Sequence, residues 1–281
     1  MSGRLGIEGQ LIWVIGAGGG GIGTAMCREF TAAGAHVVAV DRDEGALAAT
    51  VDACEGPGRL TLEVADALEP EELAAMAGRL RGASGPPTGL VNVVGGLARD
   101  RWGAIQDVPK ETFDAVFDLN LRCAWNTSRL FARERVQSGG GGSIVQLSSI
   151  AALQAMPFGA VYAAAKAALL SLTRTMALEW GGDGIRVNAL AAGSVRVPRS
   201  DAPEPESDAV VIPLGRRGQP SDLSGAALFL LSGLSQWMTG QVLVIDGGAS
   251  VLPAYLDGDG IPVFVSDSSL RSRLVPPSEA D

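Results

Sequence analysis

The chain is poor in the residues that most often carry chemistry. Its 281 residues include one histidine, two tyrosines and three cysteines. A single imidazole argues against a histidine-based zinc site and against a nucleophile–histidine triad, because each needs more partners than His36 has. His36 instead opens a β-like run, His36-Val37-Val38-Ala39-Val40, and reads as structural. Cys27, Cys54 and Cys123 are widely spaced, odd in number and form no Cys-x-x-Cys pair. That is the usage of reduced, core-filling thiols in a cytoplasmic protein, and no metal site is expected. No stretch reaches the roughly 18 apolar residues of a membrane span, and no basic segment followed by an apolar run marks a signal peptide. Basic charge is also short. The net charge is −9 with 22 Lys and Arg against 31 Asp and Glu, which argues against nucleic acid and anionic membrane as partners. Any proton transfer must use a group other than histidine.

Apolar residues are plentiful, at 47% of the chain, and the length suits one large α/β domain with a substantial core. Leu11 to Ile15 is a short continuous apolar run, as expected of a strand buried on both faces, and strand-like runs recur at 36–40, 59–64, 89–94, 143–148, 185–190 and 242–245. Helical stretches intervene at 21–33, 43–53, 70–81, 110–136, 159–180 and 220–232. Seven strands alternating with six helices predict a doubly wound parallel sheet of the Rossmann type, with helices on both faces. The pattern gives one domain over residues 1–248 and a C-terminal extension over 249–281, partly irregular, with a short apolar run at Ile261 to Val265. Residues 137–142 and the Pro-rich acidic stretch 198–209 read as loops.

The first strand leads into Val14-Ile15-Gly16-Ala17-Gly18-Gly19-Gly20-Gly21-Ile22-Gly23 and then a helix. Glycines at 16, 18 and 21 let backbone approach a pyrophosphate, and the helix start offers free N–H groups and the positive end of a dipole. Strand before and helix after is the context that gives this pattern meaning. Asp41 ends the second strand, where a carboxylate can accept the ribose hydroxyls of an adenosine or else serve as a turn residue or helix cap. It would repel a 2′-phosphate, and the glycine loop has no Lys or Arg to neutralise one, which favours NAD over NADP. Arg42 beside it can stack on adenine or reach a phosphate. Asp66 follows the third strand and either contacts adenine or caps the helix beginning at Pro70. Asn92 is a polar residue in an apolar strand, so it needs a partner, and it reads as structural while shaping the adenosine pocket.

Tyr162 and Lys166 lie four residues apart in the alanine-rich helix 159–180, on one face and one turn apart. A phenol titrates near 10, so at neutral pH about 0.1% is ionised. Bringing it to about 7 takes roughly 4 kcal/mol, within reach of a close ammonium and a second positive charge in a dry site. Such a tyrosine is an acid for carbonyl reduction and a base for alcohol oxidation. The plainer alternative is a core tyrosine with a lysine that reaches to solvent. The strand before this helix ends at Ser148-Ser149, and ligands of such sheets bind beyond the carboxyl ends of the strands. Asn120 shares a helix face with Val116, Phe117 and Ala124, as a satisfied structural amide or as part of a proton relay.

Together these residues make the chain resemble the single-domain short-chain dehydrogenase/reductases, over about residues 8 to 248. The resemblance rests on Gly21-Ile22-Gly23, Asp66, Asn92 with Gly95, Asn120, Ser149 thirteen residues before Tyr162, and Lys166. It extends to IRVNALAAG at 185–193, PLGRRG at 213–218 and TGQVLVIDGG at 239–248. It implies that Tyr162 is the acid/base, that Lys166 lowers its pKa and binds the nicotinamide ribose, and that Ser149 positions the substrate oxygen. Asn120 would hold a water linking Lys166 to solvent. Ala67, Val94, Gly193 and Val195 would join the cofactor contacts, and the assembly would be a homodimer or homotetramer through helices 110–136 and 159–180. The sequence departs from the family pattern in several places. The glycine turn carries one extra residue, Ile15 and Val197 replace threonines, Val93 replaces a second asparagine, and Ala192 replaces a proline.

Selectivity should reside in 95–104, 150–158 and 194–212, where Leu97, Trp102, Leu153, Met156, Phe158 and Val195 make a mostly apolar set. A hydrophobic ketone or secondary alcohol follows from that lining, with Arg99, Arg101 and Arg196 keeping an acidic substrate open. Two alternatives stand beside it: a reductase of 3-oxoacyl thioesters, and a dinucleotide-binding protein that senses or interacts without catalysis.

Overall fold

Seven parallel strands form one sheet in the order β3-β2-β1-β4-β5-β6-β7. They are β1 (Leu11–Ile15), β2 (His36–Asp41), β3 (Arg59–Val64), β4 (Gly89–Asn92), β5 (Gly142–Ser149), β6 (Ile185–Ala192) and β7 (Val242–Ile245). The helices are α1 (Ile22–Ala32), α2 (Glu44–Val51), α3 (Pro70–Ser84), α4 (Lys110–Phe117), α5 (Cys123–Gln137), α6 (Ala160–Trp180), α7 (Pro220–Leu231) and α8 (Ser268–Leu274). The computed structural model describes residues 6–198, 211–253, 261–262, 265–266 and 268–274. The expected loop at 198–209, apart from Pro198, and parts of the extension at 249–281 lie outside the described residues. Helix α8 was not anticipated from the sequence pattern.

β1 shows why its sequence has no polar alternation. It pairs with β2 on one side and β4 on the other, and all five residues are buried. Successive side chains point to opposite faces. Ile12 and Val14 therefore join the core under α1 and α7 with Phe30, Leu223 and Leu230. Leu11, Trp13 and Ile15 join the opposite core with Leu73, Phe131 and Met176 of α3, α5 and α6. The strand order reverses between β1 and β4, which leaves a crevice at their carboxyl ends, where such sheets bind ligands.

Two departures from the expected elements shape that crevice. β4 ends at Asn92, because the N–H groups of Val93 and Val94 both turn to the carbonyl of Ile15 and the chain leaves the sheet. The expected helix 110–136 is interrupted by a wider π-helical turn at Asp118–Arg122. There the Cys123 N–H reaches back five residues to Asp118, and the Asn120 side chain donates to the Val116 carbonyl at 2.9 Å. A side-chain amide thus occupies an acceptor that regular helix would give to a backbone amide.

Candidate active site

The glycine loop is an anchored turn. Gly16, Gly19 and Gly20 have φ of 85°, 80° and 69°, in the left-handed region that glycine enters without strain. The Ala17 carbonyl accepts from Thr24 at 2.8 Å and Thr50 at 2.9 Å, and Gly18 donates its N–H to Asp41 Oδ2 at 3.0 Å. A Cβ on Gly23 would stand 2.0 Å from the Gly16 carbonyl oxygen, and one on Gly18 would stand 2.7 Å from Ala46 Cβ. Only bare backbone fits where the loop turns into α1.

From this loop a single cleft of about 520 Å³ runs along the sheet's carboxyl edge. Asp41, Arg42, Asp66 and Ala67 line one end, Gly16, Gly18, Gly21, Ile22 and Gly23 the middle, and Ser149, Tyr162, Lys166, Gly193 and Val195 the other. Val94 and Gly95 form part of its wall. The size suits a small cofactor, and a bare-backbone turn at a helix start, with a carboxylate at one end, fits a dinucleotide. Leu119 and Cys123, which sequence reasoning missed, also line it. Their nearness to Asn120 was the available signal.

At the Asp41 end of the cleft, Asp41 is not the helix cap. Asp43 takes that role for α2, accepting from the Ala46 N–H at 3.0 Å. Asp66 does not cap α3 either. Its Oδ1 accepts from the Leu68 N–H at 2.9 Å, and its Oδ2 lies 3.7 Å from Arg42 Nη1. Asn92 is tied wholly inside the protein and does not reach the cleft. It donates to Ser128 at 3.1 Å and to Gln146 at 3.0 Å, and accepts from Thr127 at 2.7 Å. These bonds give Asn92 the structural role expected of it.

At the catalytic end the two adjacent serines separate because strand side chains alternate. Ser148 is buried and donates to the Lys166 carbonyl at 3.2 Å. Ser149 lines the cleft together with Tyr162, and its Oγ accepts from the Ala151 N–H at 3.1 Å. Burial pushes the Tyr162 phenol above its ordinary value, and the neighbouring Ser149 hydroxyl opposes that rise. This differs from the expected depression by Lys166. The ammonium sits 5.8 Å from the centre of the Tyr162 ring and donates to the Leu147 carbonyl at 2.8 Å. Lys166 is itself buried, and desolvation lowers its pKa to about 8.

Asn120 is occupied differently from the expected water-holder. Both side-chain N–H donors are spent, on Val116 and on the Gly96 carbonyl at 2.9 Å, while its oxygen accepts from the Gly96 N–H at 2.8 Å. It grips the backbone of one residue, Gly96, at both its N–H and its carbonyl and fixes the segment after β4 beside Lys166. The segment 194–196 is held in the same way by PLGRRG: Gly218 donates to Ser194 at 2.9 Å, and Arg196 donates back to Gly218 at 2.8 Å. Gly193 is required at its position, because a Cβ there would meet Asp246 Cα at 2.7 Å.

An open doubly wound sheet with a glycine-turn cleft and Ser, Tyr and Lys at its far end defines a nucleotide-dependent oxidoreductase class. Comparison with known proteins agrees. Residues 16–250 match the family described as Enoyl-(Acyl carrier protein) reductase. Galactitol 2-dehydrogenase (L-tagatose-forming) of Cereibacter sphaeroides is 36% identical over 252 residues, covering 87% of this chain and 96% of that protein. A short-chain type dehydrogenase/reductase of Mycobacterium ulcerans superposes with a TM-score of 0.82 at 32% identity, over 88% of this chain and 92% of the other. A 7 alpha-hydroxysteroid dehydrogenase complexed with NADH and 7-oxo glycochenodeoxycholic acid gives 0.80 at 33% identity, over 88% and 97%. The chain belongs to the short-chain dehydrogenase/reductase family. It is an NAD(P)-dependent oxidoreductase acting on CH–OH groups.

Proposed function

We propose that the protein interconverts an apolar ketone and its secondary alcohol, with NAD preferred over NADP and Tyr162 as the acid/base. One observation carries the reading: Ser149, Tyr162 and Lys166 share the far end of the cleft that begins at the glycine turn and Asp41. Bound nicotinamide would supply a hydride to the carbonyl carbon or take one from the alcohol. The Tyr162 hydroxyl gives a proton to the carbonyl oxygen in reduction and takes one back in oxidation. Ser149 donates to that same oxygen and polarises it. Lys166, as an ammonium, favours the phenolate that reduction leaves behind. Asn120 acts by holding Gly96, and so Gly95, against Lys166. Without added positive charge the buried phenol keeps its proton, the form ready to donate, which suits reduction.

Cofactor choice rests on the adenosine end. Asp41 keeps lone pairs for ribose hydroxyls after its bonds to Gly18 and Asp43. Arg42 is exposed but paired with Asp66, which opposes its capture of a 2′-phosphate. An apolar substrate, closer in kind to a 7-oxo steroid than to a sugar alcohol, is read from the residues Leu97, Trp102, Leu153, Met156 and Phe158 of the sequence, although of the expected apolar set only Val195 lines the cleft itself. The protein would act in the cytoplasm as a homodimer or homotetramer. The exposed Trp125 and Val136 of α5 and Leu178 of α6 support pairing through those helices.

The test mixes the protein with NADH or NADPH and a ketone panel, following absorbance of the reduced ring. Turnover faster with NADH is expected, and Tyr162→Phe should lower kcat at least a thousandfold while NADH affinity stays within about threefold. A Tyr162→Phe protein that keeps most of its rate overturns the assignment. NADH binding without turnover of any ketone favours the non-catalytic alternative.

A further inference from the structure

The glycine turn has much backbone freedom to lose. Six of the eight residues from Gly16 to Gly23 are glycine, the residue that gives up the most backbone entropy when fixed. A turn of that composition needs anchors to keep one shape, and its N–H groups show where they are. Gly16 and Ala17 donate to the Val40 carbonyl at 2.8 and 3.0 Å, and Gly18 to Asp41 Oδ2 at 3.0 Å. Gly19 donates to the Ala46 carbonyl at 3.1 Å and Gly20 to Thr24 Oγ1 at 3.1 Å. All but the last of these lead to the stretch 40–46, where β2 passes into α2.

Thr50 of α2 adds a tie from further off. It is fully buried, 33 residues along the chain from Ala17, and its hydroxyl donates to the Ala17 carbonyl at 2.9 Å. A buried helical threonine can satisfy itself on the carbonyl four residues back. Thr31, Thr127 and Thr173 do so, on Cys27, Cys123 and Leu169. For Thr50 that carbonyl belongs to Ala46, and it receives the Gly19 N–H from the turn. The hydroxyl and the carbonyl that could pair within α2 are both given to the turn. Thr24 of α1 joins them, with Oγ1 2.8 Å from the Ala17 carbonyl and 3.0 Å from Thr50 Oγ1. The two hydroxyls have one proton each, so loss of the Thr50 proton leaves Thr24 alone on that carbonyl.

We propose that Thr50 is a positioning residue for the cofactor: with the Ala46 carbonyl, its buried hydroxyl fixes the turn in the shape that receives the pyrophosphate. Neither Thr50 nor Ala46 is among the residues lining the cleft, so both act through Ala17 to Gly19. A turn held before the cofactor arrives has less entropy left to lose on binding, and affinity gains by that amount. The inference needs only the dinucleotide-binding class. It stands apart from the ketone substrate, the NAD preference and the role of Tyr162.

The experiment measures binding, so it does not depend on turnover. NADH and NADPH are titrated by calorimetry into the parent, Thr50→Val, Thr50→Ala and Thr50→Ser proteins, well below their melting temperatures. Valine keeps the shape of threonine without the hydroxyl, and serine keeps the hydroxyl. Thr50→Val and Thr50→Ala should each weaken both nucleotides about tenfold, the worth of one lost hydrogen bond, and leave their ratio unchanged. Thr50→Ser should stay within about threefold of the parent. In ligand-free Thr50→Val, amide exchange over residues 16–20 should run about fivefold faster than in the parent, and return to the parent rate at saturating nucleotide, with β5 and α6 unaltered. Parent-like affinity in both truncations overturns the proposal, and so does an equal loss in Thr50→Ser. A lower Tm with affinity and turn exchange unchanged, or faster exchange throughout the chain, would make Thr50 a packing residue only and also overturns it. A loss confined to one nucleotide places the effect at the ribose and not at the turn, with the same consequence. Tyr162→Phe should leave these binding constants in place while abolishing turnover, so failure of the turn anchor and failure of the acid/base reading are told apart.

Discussion

Gly95 lies against Lys166 so closely that a Cβ built on it would stand 2.7 Å from Nζ and 2.8 Å from Asn120 Oδ1. The glycine is where the clamp of Asn120 meets the ammonium of Lys166. A methyl group at this point must displace one of two buried polar groups.

Gly95→Ala should therefore lower kcat at least tenfold, with the fold retained by circular dichroism. NADH affinity should fall by less, because the glycine turn and Asp41 are untouched. A variant with wild-type kcat would show that the contact has no part in ordering the site.

Lys166 gives a stability signature that runs against the usual direction. Its pKa falls to about 8 on folding, from an ordinary value of 10.5. Between those two pH values the unfolded chain binds more protons, so this group makes folding more favourable as pH rises. Relative to Lys166→Met, which cannot titrate, the parent should gain up to about 3 kcal/mol from pH 7 to pH 10.5 in urea unfolding. A pH-independent difference would mean that the amine is not desolvated.

Asp41 orders the glycine loop, since one carboxylate oxygen holds the Gly18 N–H at 3.0 Å, and on the proposed reading it also selects the cofactor. Asp41→Ala should weaken NADH binding about tenfold and narrow the NADH-over-NADPH ratio. Asp41→Asn keeps an acceptor for Gly18 and removes the charge. It should recover part of the NADH affinity while remaining less hostile to NADPH. Fluorescence titration with both nucleotides checks this, and an unaltered ratio in both variants would overturn the NAD preference argued from Asp41.

Asn92 should matter to stability and little to catalysis. Truncation to alanine strips a partner from Thr127, Ser128 and Gln146 inside the protein. Unsatisfied buried polar groups cost about 1–3 kcal/mol. Asn92→Ala should lose stability of that order in denaturant melts while the folded enzyme keeps kcat within about twofold. A large kcat loss at unchanged stability would place Asn92 in the catalytic machinery after all.

Much of the molecule was legible in the residues alone. β1 announces itself as an unbroken apolar run because it is covered on both faces, and a parallel sheet with helices on both sides follows from the alternation of strand-like and helical stretches. The cleft's two ends were legible for a local reason: a glycine turn between strand and helix, and a Tyr and Lys one turn apart, are short-range patterns. Family resemblance added Ser149 over Ser148, a choice that strand alternation then explains.

Other properties depended on residues far apart in the chain. Asn120 meets Gly96 across 24 positions and through a π-helical turn, and no periodicity predicts that its amide donors are spent there. Asn92 finds partners at 127, 128 and 146 because α5 and β5 happen to cross its face. The titration of Tyr162 and Lys166 could not be read from their spacing, since desolvation depends on everything packed around them. Likewise, the positive φ at Phe158 is a backbone angle imposed by a turn and by a hydrogen bond to Gly103. Sequence by itself determined the order of elements and the residue types of the site, because those are encoded in near-neighbour pattern. Only tertiary structure decided which groups are buried, paired or strained, because burial and partnership are properties of the whole packed chain.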